Sequence, residues 1–437
     1  MPEPFMSRAF YEKVITIAAG VLCWHAGAAE LPPLTLREAH ETALRNHPRI
    51  SVAELTALAS RQAEREARSG FLPNVSGNMV AVGAATSNTR LAAVGALNNP
   101  AIFDRAAAGL MVSQLITDFG RTANLARSAK FHAQAAEQNA QATRDDILLA
   151  VDGAFFSALQ AQAVTRVAQQ TVETRLILLE QTSALASNKM KSELDVSFTR
   201  VNLEDARLLL SKAQNDLEAS FAQLSTLLGM PEVRAFRLVD QPLPPPVATN
   251  VADFVQLSLR SRPDLQSLRD EQQSQLSFSR AERDARYPTV AAVGTAGASP
   301  VHDEQIPDSY AAAGLTLTVP LYAGGLYTAR AKEAELRAQA ASEAIRDLEN
   351  NIIRDVRIAW LNSQNAYERY RISGDLLANA RRAFELAQAR YKAGLSSIVE
   401  LNQAELSEIQ AEITYASTQY EYLLERSALS FQTGTLK

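Results

Sequence analysis

Aromatic residues make up only 6% of this 437-residue chain, and Gly and Pro number 18 and 17. The length suits two or three ordinary domains. With so few turn-formers and cores so poor in aromatics, a set of loop-rich compact domains is excluded. Ala, Gln, Glu, Arg and Leu dominate instead, the profile of long helices and coiled coils. Basic charge is not in excess: the net charge is -5, so there is no footprint for nucleic acid. The single cysteine, Cys23, excludes a disulfide framework. Beyond the N-terminal segment no continuous apolar run reaches about 18 residues, the length of a membrane-spanning helix. Any membrane contact is therefore expected through β-strands.

Catalytic signatures are also missing. There is no phosphate-binding glycine loop, nucleophile elbow or metalloprotease motif. His40 and His47 stand seven apart around Pro48, and His25, His132 and His302 are scattered, so no metal-ligand spacing occurs. Asp145-Asp146 reads as a solvated or lumen-facing helix surface, and His302-Asp303-Glu304 as a loop. No enzyme activity, cofactor or metal is expected.

What is present begins with an export signal over residues 1–29. Met6 to Lys13 supplies a short charged region, Val14 to Trp24 an apolar core, and Ala26-Gly27-Ala28-Ala29 the small residues for cleavage. Met6 is an alternative start. Leu22 before Cys23 does not fit a lipidation site.

Thr35 with Glu38 three later predicts a capped helix over 35–46. Pro48 opens a second helix to about Ser69, and Phe71-Leu72-Pro73 breaks it. Strands are expected near 73–84 and 106–117, two stretches almost or entirely free of charge and long enough to cross a bilayer, about 9–11 residues. From Gly120 a helical pattern runs to about Ser187, on the order of 100 Å at about 1.5 Å per residue. Ile147, Ala150, Ala154, Ser157, Ala161, Val164, Ala168 and Thr171 form a coiled-coil seam on it. After a turn near 188–192, a second seam runs from Leu203 and Ala206 to Leu224 and Leu227. Gly229 and Pro231 end that helix, and 231–250 is a linker stretched by its prolines.

The plan then repeats over 251–437. Pro48 and Pro263 differ by 215, as do Pro73 and Pro288; Gly109 and Gly314 differ by 205, as do Gly120 and Gly325, and Gly229 and Gly434. Such self-similarity marks an internal duplication, with one ten-residue difference in the loop between paired strands. The second pair is expected near 289–298 and 310–319, and the second turn near 393–396. In the last strand, Leu315, Leu317 and Val319 alternate with Thr316 and Thr318, apolar outward and polar inward. Phe71, Phe119, Tyr287, Tyr310 and Tyr322 near the strand ends suit membrane interfaces. One detail does not follow the duplication: the apolar seam Leu406, Ile409, Ile413, Ala416, Tyr420, Leu423 is out of phase with its upstream counterpart.

Four strands cannot close a barrel, and an open edge in lipid leaves backbone groups unpaired. About eight strands make a barrel filled by its own side chains, so a conducting pore needs at least three copies. A soluble coiled-coil scaffold, or a periplasmic adaptor, is the competing class. The charge-free strands and the lack of lipoyl-like modules count against it.

The duplicated plan, VPLYAGG at Val319 to Gly325 with its partner SQLITDFG, ARYKAGLSSIVELNQAE around Gly394, and the C-terminal QTGTL together resemble the TolC-type outer-membrane efflux family. The resemblance implies a mainly α fold with a transmembrane β-barrel contribution. Duplicated α-hairpins would form an α-helical barrel, and four strands per protomer would complete a trimeric twelve-stranded outer-membrane barrel. It implies an exit duct for small molecules, working with an inner-membrane pump and a periplasmic adaptor; the same duct serves type I protein secretion. The implied periplasmic constriction maps to Tyr391, Ser396, Glu400 and Gln403. The family pattern has a basic residue where Ser396 stands and a carboxylate where Gln403 stands. The partner of Glu400 is therefore sought at Lys189, Lys191 or Arg200. The turns carrying Gly394, Leu395, Lys189 and Lys191 are the implied adaptor-docking points. Gly394 tolerates positive φ, whereas Lys189 holds the equivalent place, so the two turns are expected to differ in shape.

Overall fold

The computed structural model describes residues 33–82, 105–301 and 307–436. The export signal and the first inter-strand loop lie outside these, as do His302, Asp303 and Glu304. The elements run β1 (Pro33–Leu34), α1 (Leu36–Asn46), α2 (Pro48–Ser69), β2 (Asn74–Val82), β3 (Arg105–Thr117), α3 (Arg121–Ser187), α4 (Glu193–Leu227), β4 (Arg237–Leu238), α5 (Val251–Ser261), α6 (Pro263–Asp284), β5 (Thr289–Val301), β6 (Ser309–Thr318), α7 (Leu326–Lys392) and α8 (Ile398–Gln432). The duplication is literal: α3 and α7 each have 67 residues, and α4 and α8 each have 35.

Local chemistry sets the boundaries. Thr35 and Glu38 close a reciprocal capping box on α1, and Pro48 and Pro263 occupy the first turns of α2 and α6, where a missing N–H costs nothing. The strand-to-helix corners use positive φ, at Gly324 and Gly325 in the second half and at Phe119 and Gly120 in the first.

β2-β3-β5-β6 form one antiparallel sheet whose two outer strands have no further partner among the described residues. Alternation puts Leu315 and Leu317 on one face and Thr316 and Thr318 on the other. Tyr310 shares the threonine face rather than an outward girdle. In its register row, Gly109 pairs with Gly297 and Gly297 with Tyr310. The Tyr310 ring lies across both glycines: a Cβ on Gly297 would sit 2.6 Å from its hydroxyl oxygen.

The core is at mid-height. Ala39 and Ala43 of α1, Val151, Phe155 and Phe156 of α3, Phe221 and Leu224 of α4, Phe236 and Leu238 around β4, and Tyr420 and Leu423 of α8 form one cluster. The 231–250 segment straps it. Tyr422 donates to the carbonyls of Pro244 and Pro245 at 3.2 and 2.9 Å, and Trp360 to that of Ala248 at 3.0 Å. Burial, reinforced by Asp240, pushes Tyr420 up to about 12, so its hydroxyl keeps the proton it donates to Asp240. One stretch of α3 is apolar enough on average to cross a membrane, and half of it is buried here. Polar residues interrupt this stretch, so it is not a continuous apolar run.

Two seam expectations change. On α3 the buried line is Ile147, Val151, Ala154, Ala158, Thr165 and Ala168, whereas Ala150 and Ser157 are exposed. The heptad is right and alternate positions are displaced by one residue. On α8 the intra-hairpin line contains Ala411, Thr418, Tyr422 and Leu429, in phase with Ala206, Ala213, Leu217 and Leu224 of α4 at offset 205. The out-of-phase residues Tyr420 and Leu423 form a second face directed to the mid-height core, where α8 meets α3.

Gly297→Val is expected to displace Tyr310 and strain β5 against β3, costing about 1–3 kcal/mol as an overpacking change. A lowered melting temperature by circular dichroism checks this; an unchanged one would show that both the Tyr310 ring and the Ala108 carbonyl of β3, which the added Cβ would also meet, give way freely.

Candidate functional site

The end of the molecule remote from the sheet is built by two helical turns. At each, a residue with positive φ ends the long helix, Lys189 at 57° and Gly394 at 72°. The amide of each bonds three residues back, to Ala186 and Tyr391, and the next amide five back, to Leu185 and Arg390. This is the Schellman pattern. Ser192 and Ser397 then cap the returning helices. The expected difference in shape is therefore absent. Lys189 adopts the glycine geometry because two backbone hydrogen bonds hold it there, at a steric cost of roughly 1–2 kcal/mol. Leu395 and Met190, the residues after each, are exposed at the tip.

Of the sequence-derived constriction residues, the structure joins some and separates others. Lys191 lies with its ammonium 4.0 Å from the Tyr391 ring centroid, a cation–π contact linking the two hairpins. Glu400 pairs with Arg390 of its own hairpin at 3.2 Å, not with Lys189, Lys191 or Arg200. The reason is proximity: the turn folds the start of α8 back along the last turn of α7. Ser396 Oγ and Tyr391 Oη are buried with no hydrogen-bond partner among the described residues, and Gln403 is exposed.

Deeper in, sequence reasoning missed the main contact. Arg175 of α3 and Glu405 of α8 are both almost fully buried, with Nε to Oε1 at 3.3 Å; Arg175 Nη1 also donates to the Asn202 carbonyl of α4 at 2.5 Å. One arginine thus ties both hairpins together. The available signal was its place on the buried heptad, seven after Ala168 and seven before Thr182. A cleft of about 340 Å³ opens beside it, lined by Ile177, Leu178, Phe384, Tyr391 and Leu401. Further up α8, Arg381 bonds Glu412 at 2.5 Å and approaches Glu408 at 3.9 Å. Burial, then the Glu412 charge, raises the Glu408 carboxyl. At mid-height, His40 of α1 meets the buried Asp152 of α3 at 2.5 Å. That partner, 112 residues away in sequence, was equally invisible.

A protein-family description, outer membrane efflux protein, matches residues 39–230 and 254–435, both copies of the repeat. The chain belongs to this family. The efflux protein is 23% identical over 348 residues to the outer membrane protein TolC of Escherichia coli K12, covering 75% of this chain and 69% of that one. It is 23% identical over 418 residues to the alkaline protease secretion protein AprF of Pseudomonas aeruginosa, covering 92% and 85%. A crystal structure of a membrane protein from Pseudomonas aeruginosa superimposes with a TM-score of 0.77 at 21% identity, covering 91% and 93%. The protein is an outer-membrane channel for efflux, not an enzyme.

Three outcomes are expected at the tip. Lys189→Gly relieves the strained turn and raises stability by about 1 kcal/mol, read as a higher denaturation midpoint. Arg175→Met leaves a buried carboxylate and costs about 3–5 kcal/mol, whereas Arg175→Met with Glu405→Leu recovers most of it; no recovery would show that the pair is not isolated. Because the folded-state Glu408 carboxyl titrates above its unfolded value, its ionisation costs stability at neutral pH, and that loss is recovered as pH falls through the folded-state value. Glu408→Gln therefore stabilises at neutral pH and flattens this dependence, a trend that melting curves against pH will show.

Proposed function

We propose that three copies form a continuous duct, a twelve-stranded barrel in the outer membrane extended by a periplasmic tunnel of the long helices. It passively exports small toxic molecules driven by an inner-membrane pump through a periplasmic adaptor. The observation that carries the trimer is a set of contacts made once where the duplication calls for two. Within the chain β3 pairs with β5. The equivalent pairing of β6 needs β2 of another copy. Ser267 and Ser274 of α6 bond the Ala135 and Ser128 carbonyls of α3; their equivalents on α2, Val52 and Ala59, are exposed and carry no hydroxyl. Gly153 and Gln160 of α3 face Leu424 and Ser417 of α8; their equivalents on α7, Ile358 and Asn365, are exposed, and so are Val201 and Leu208 of α4. Each unfilled face fits the next copy, and three copies supply enough strands for a pore.

In this reading Tyr391 with Lys191, and Glu400 with Arg390, line the periplasmic constriction, together with Ser396 and Gln403. Gly394, Leu395, Lys189 and Lys191 present the two tips to the adaptor. Protein secretion is the second reading, supported by the similarity to AprF. The two readings share one duct, because the pump selects the cargo.

Electron microscopy of the detergent-purified protein should show a threefold hollow cylinder about 130–140 Å long, from about 100 Å of helix plus a barrel crossing about 30 Å. A compact or solid particle would end the duct proposal. In planar bilayers, Tyr391→Phe with Glu400→Ala should raise single-channel conductance; an unchanged value would remove these residues from the constriction.

A further inference from the structure

Just beneath the sheet the charge balance inverts. Residues 61–73, 117–131, 280–288 and 318–337 hold twelve Lys and Arg against seven Asp and Glu, in a chain whose net charge is -5. These are the four junctions between strands and helices, and two clefts open among them. One, of about 490 Å³, is lined by Arg283, Arg286, Lys332 and Glu335 with Leu321 and Tyr322. The other, of about 430 Å³, is lined by Arg68, Arg127 and Lys130 with Phe71 and Phe131. They are the same site in the two repeats. Arg68 and Arg283 are equivalent at offset 215, and Arg127 and Lys332 at offset 205.

We propose that each cleft binds the phosphate of an anionic phospholipid in the periplasmic leaflet. This rests on the outer-membrane channel reading and specifies the lipid that the channel holds. Order along the chain fits a lipid lying at the boundary. The sheet is free of charge from Ala106 to Thr117 and from Thr289 to Val301. Below it come exposed Phe71, Phe119, Leu321 and Tyr322, the last two 91% and 89% exposed. The cations follow within about 10 Å of the sheet: Arg127 and Lys332 each lie six residues into their long helices, and Arg283 lies six before β5. Headgroups occupy about 5–8 Å beyond the hydrocarbon on each side, and long basic side chains bridge the remainder. Arg283 and Lys130 have no acidic partner among the described residues. Lys332 and Arg68, both exposed, pair with Glu335 at 3.2 Å and Glu64 at 2.7 Å, where a phosphate can compete. Arg286 stacks on Tyr287 with its guanidinium 5.5 Å from the ring centroid. Guanidinium forks match phosphate oxygens bidentately, and leucine and tyrosine beside them suit the upper acyl chain.

The test uses the full-length protein in dodecyl maltoside micelles with added phosphatidylglycerol, phosphatidylcholine or inorganic phosphate. Melting and native mass spectrometry are the readouts. Phosphatidylglycerol alone should raise the melting temperature and remain bound at two molecules per protomer. Arg283→Gln with Arg286→Gln and Lys332→Gln should leave the lipid-free melting unchanged, halve the bound lipid, and weaken binding at that cleft about fivefold per cation removed. Arg337→Gln, on α7 outside the cleft and paired with Glu333, should change nothing. An equal effect of phosphatidylcholine, a full effect of inorganic phosphate alone, or no retained lipid because a second copy covers the clefts would each overturn the proposal. Solubility without detergent would instead overturn the outer-membrane reading itself.

Discussion

Two free strand edges govern this structure. β2 and β6 each expose about nine or ten residues of unpaired backbone on one side of a four-stranded sheet. In water that is a tolerable edge; in hydrocarbon each unpaired group costs several kcal/mol. No side-chain chemistry within one chain removes a penalty of that size, so the sheet is stable in lipid only when another copy supplies the missing ladder. In the proposed assembly the same copy would also cover the exposed stripes of α2, α4 and α7. In the proposed duct, assembly and pore thus follow from one hydrogen-bonding requirement.

Duplication makes that closure geometrically simple. Two near-identical halves already solve the adjacent-unit problem once inside the chain, at β3–β5 and α3–α6. A threefold assembly repeats the solution with small variations. Those variations mark where the halves do different work. Phe119 stands where Gly324 does, and Lys189 where Gly394 does. In each case the first half accepts a left-handed backbone on a residue with a side chain and gains a contact nearby, Phe119 against Tyr287 with ring centroids 6.0 Å apart and Lys191 over Tyr391.

How much of this was legible in the sequence depended on range. Helix ends were readable because their causes are local: Thr35 with Glu38, Pro48, Pro263, Gly229. The strands were readable because two independent signals, absence of charge and the duplicated offset, coincided. The α3 seam was read one residue off at alternate positions. Ala150, Val151, Ser157 and Ala158 are all small, so a 3,4 and a 4,3 spacing fit the same stretch until the partner helix is known. The constriction was least legible. Glu400 has a basic neighbour at Arg390, ten residues away across the turn, and only the turn geometry makes it a nearer partner than the cations of the upstream turn. Arg175 and Glu405 are 230 residues apart, and nothing short of the fold brings them together.

The buried Arg175–Glu405 pair ties α3 to α8 in a way that differs from the apolar contacts around it. An apolar residue at Arg175 would pack α3 against α4 and α8 without directional preference, and hairpin separation would then cost in proportion to the area exposed. An ion pair behaves differently. Its free energy is concentrated in one short contact, and separating it in a dry environment is expensive. Once water enters, both charges are resolvated and little resists further movement. With Glu405 Oε2 already lacking a partner and a cleft beside it, wetting has a path in. The lower hairpins are therefore joined by a buried charge pair that borders a cleft, rather than by apolar packing alone.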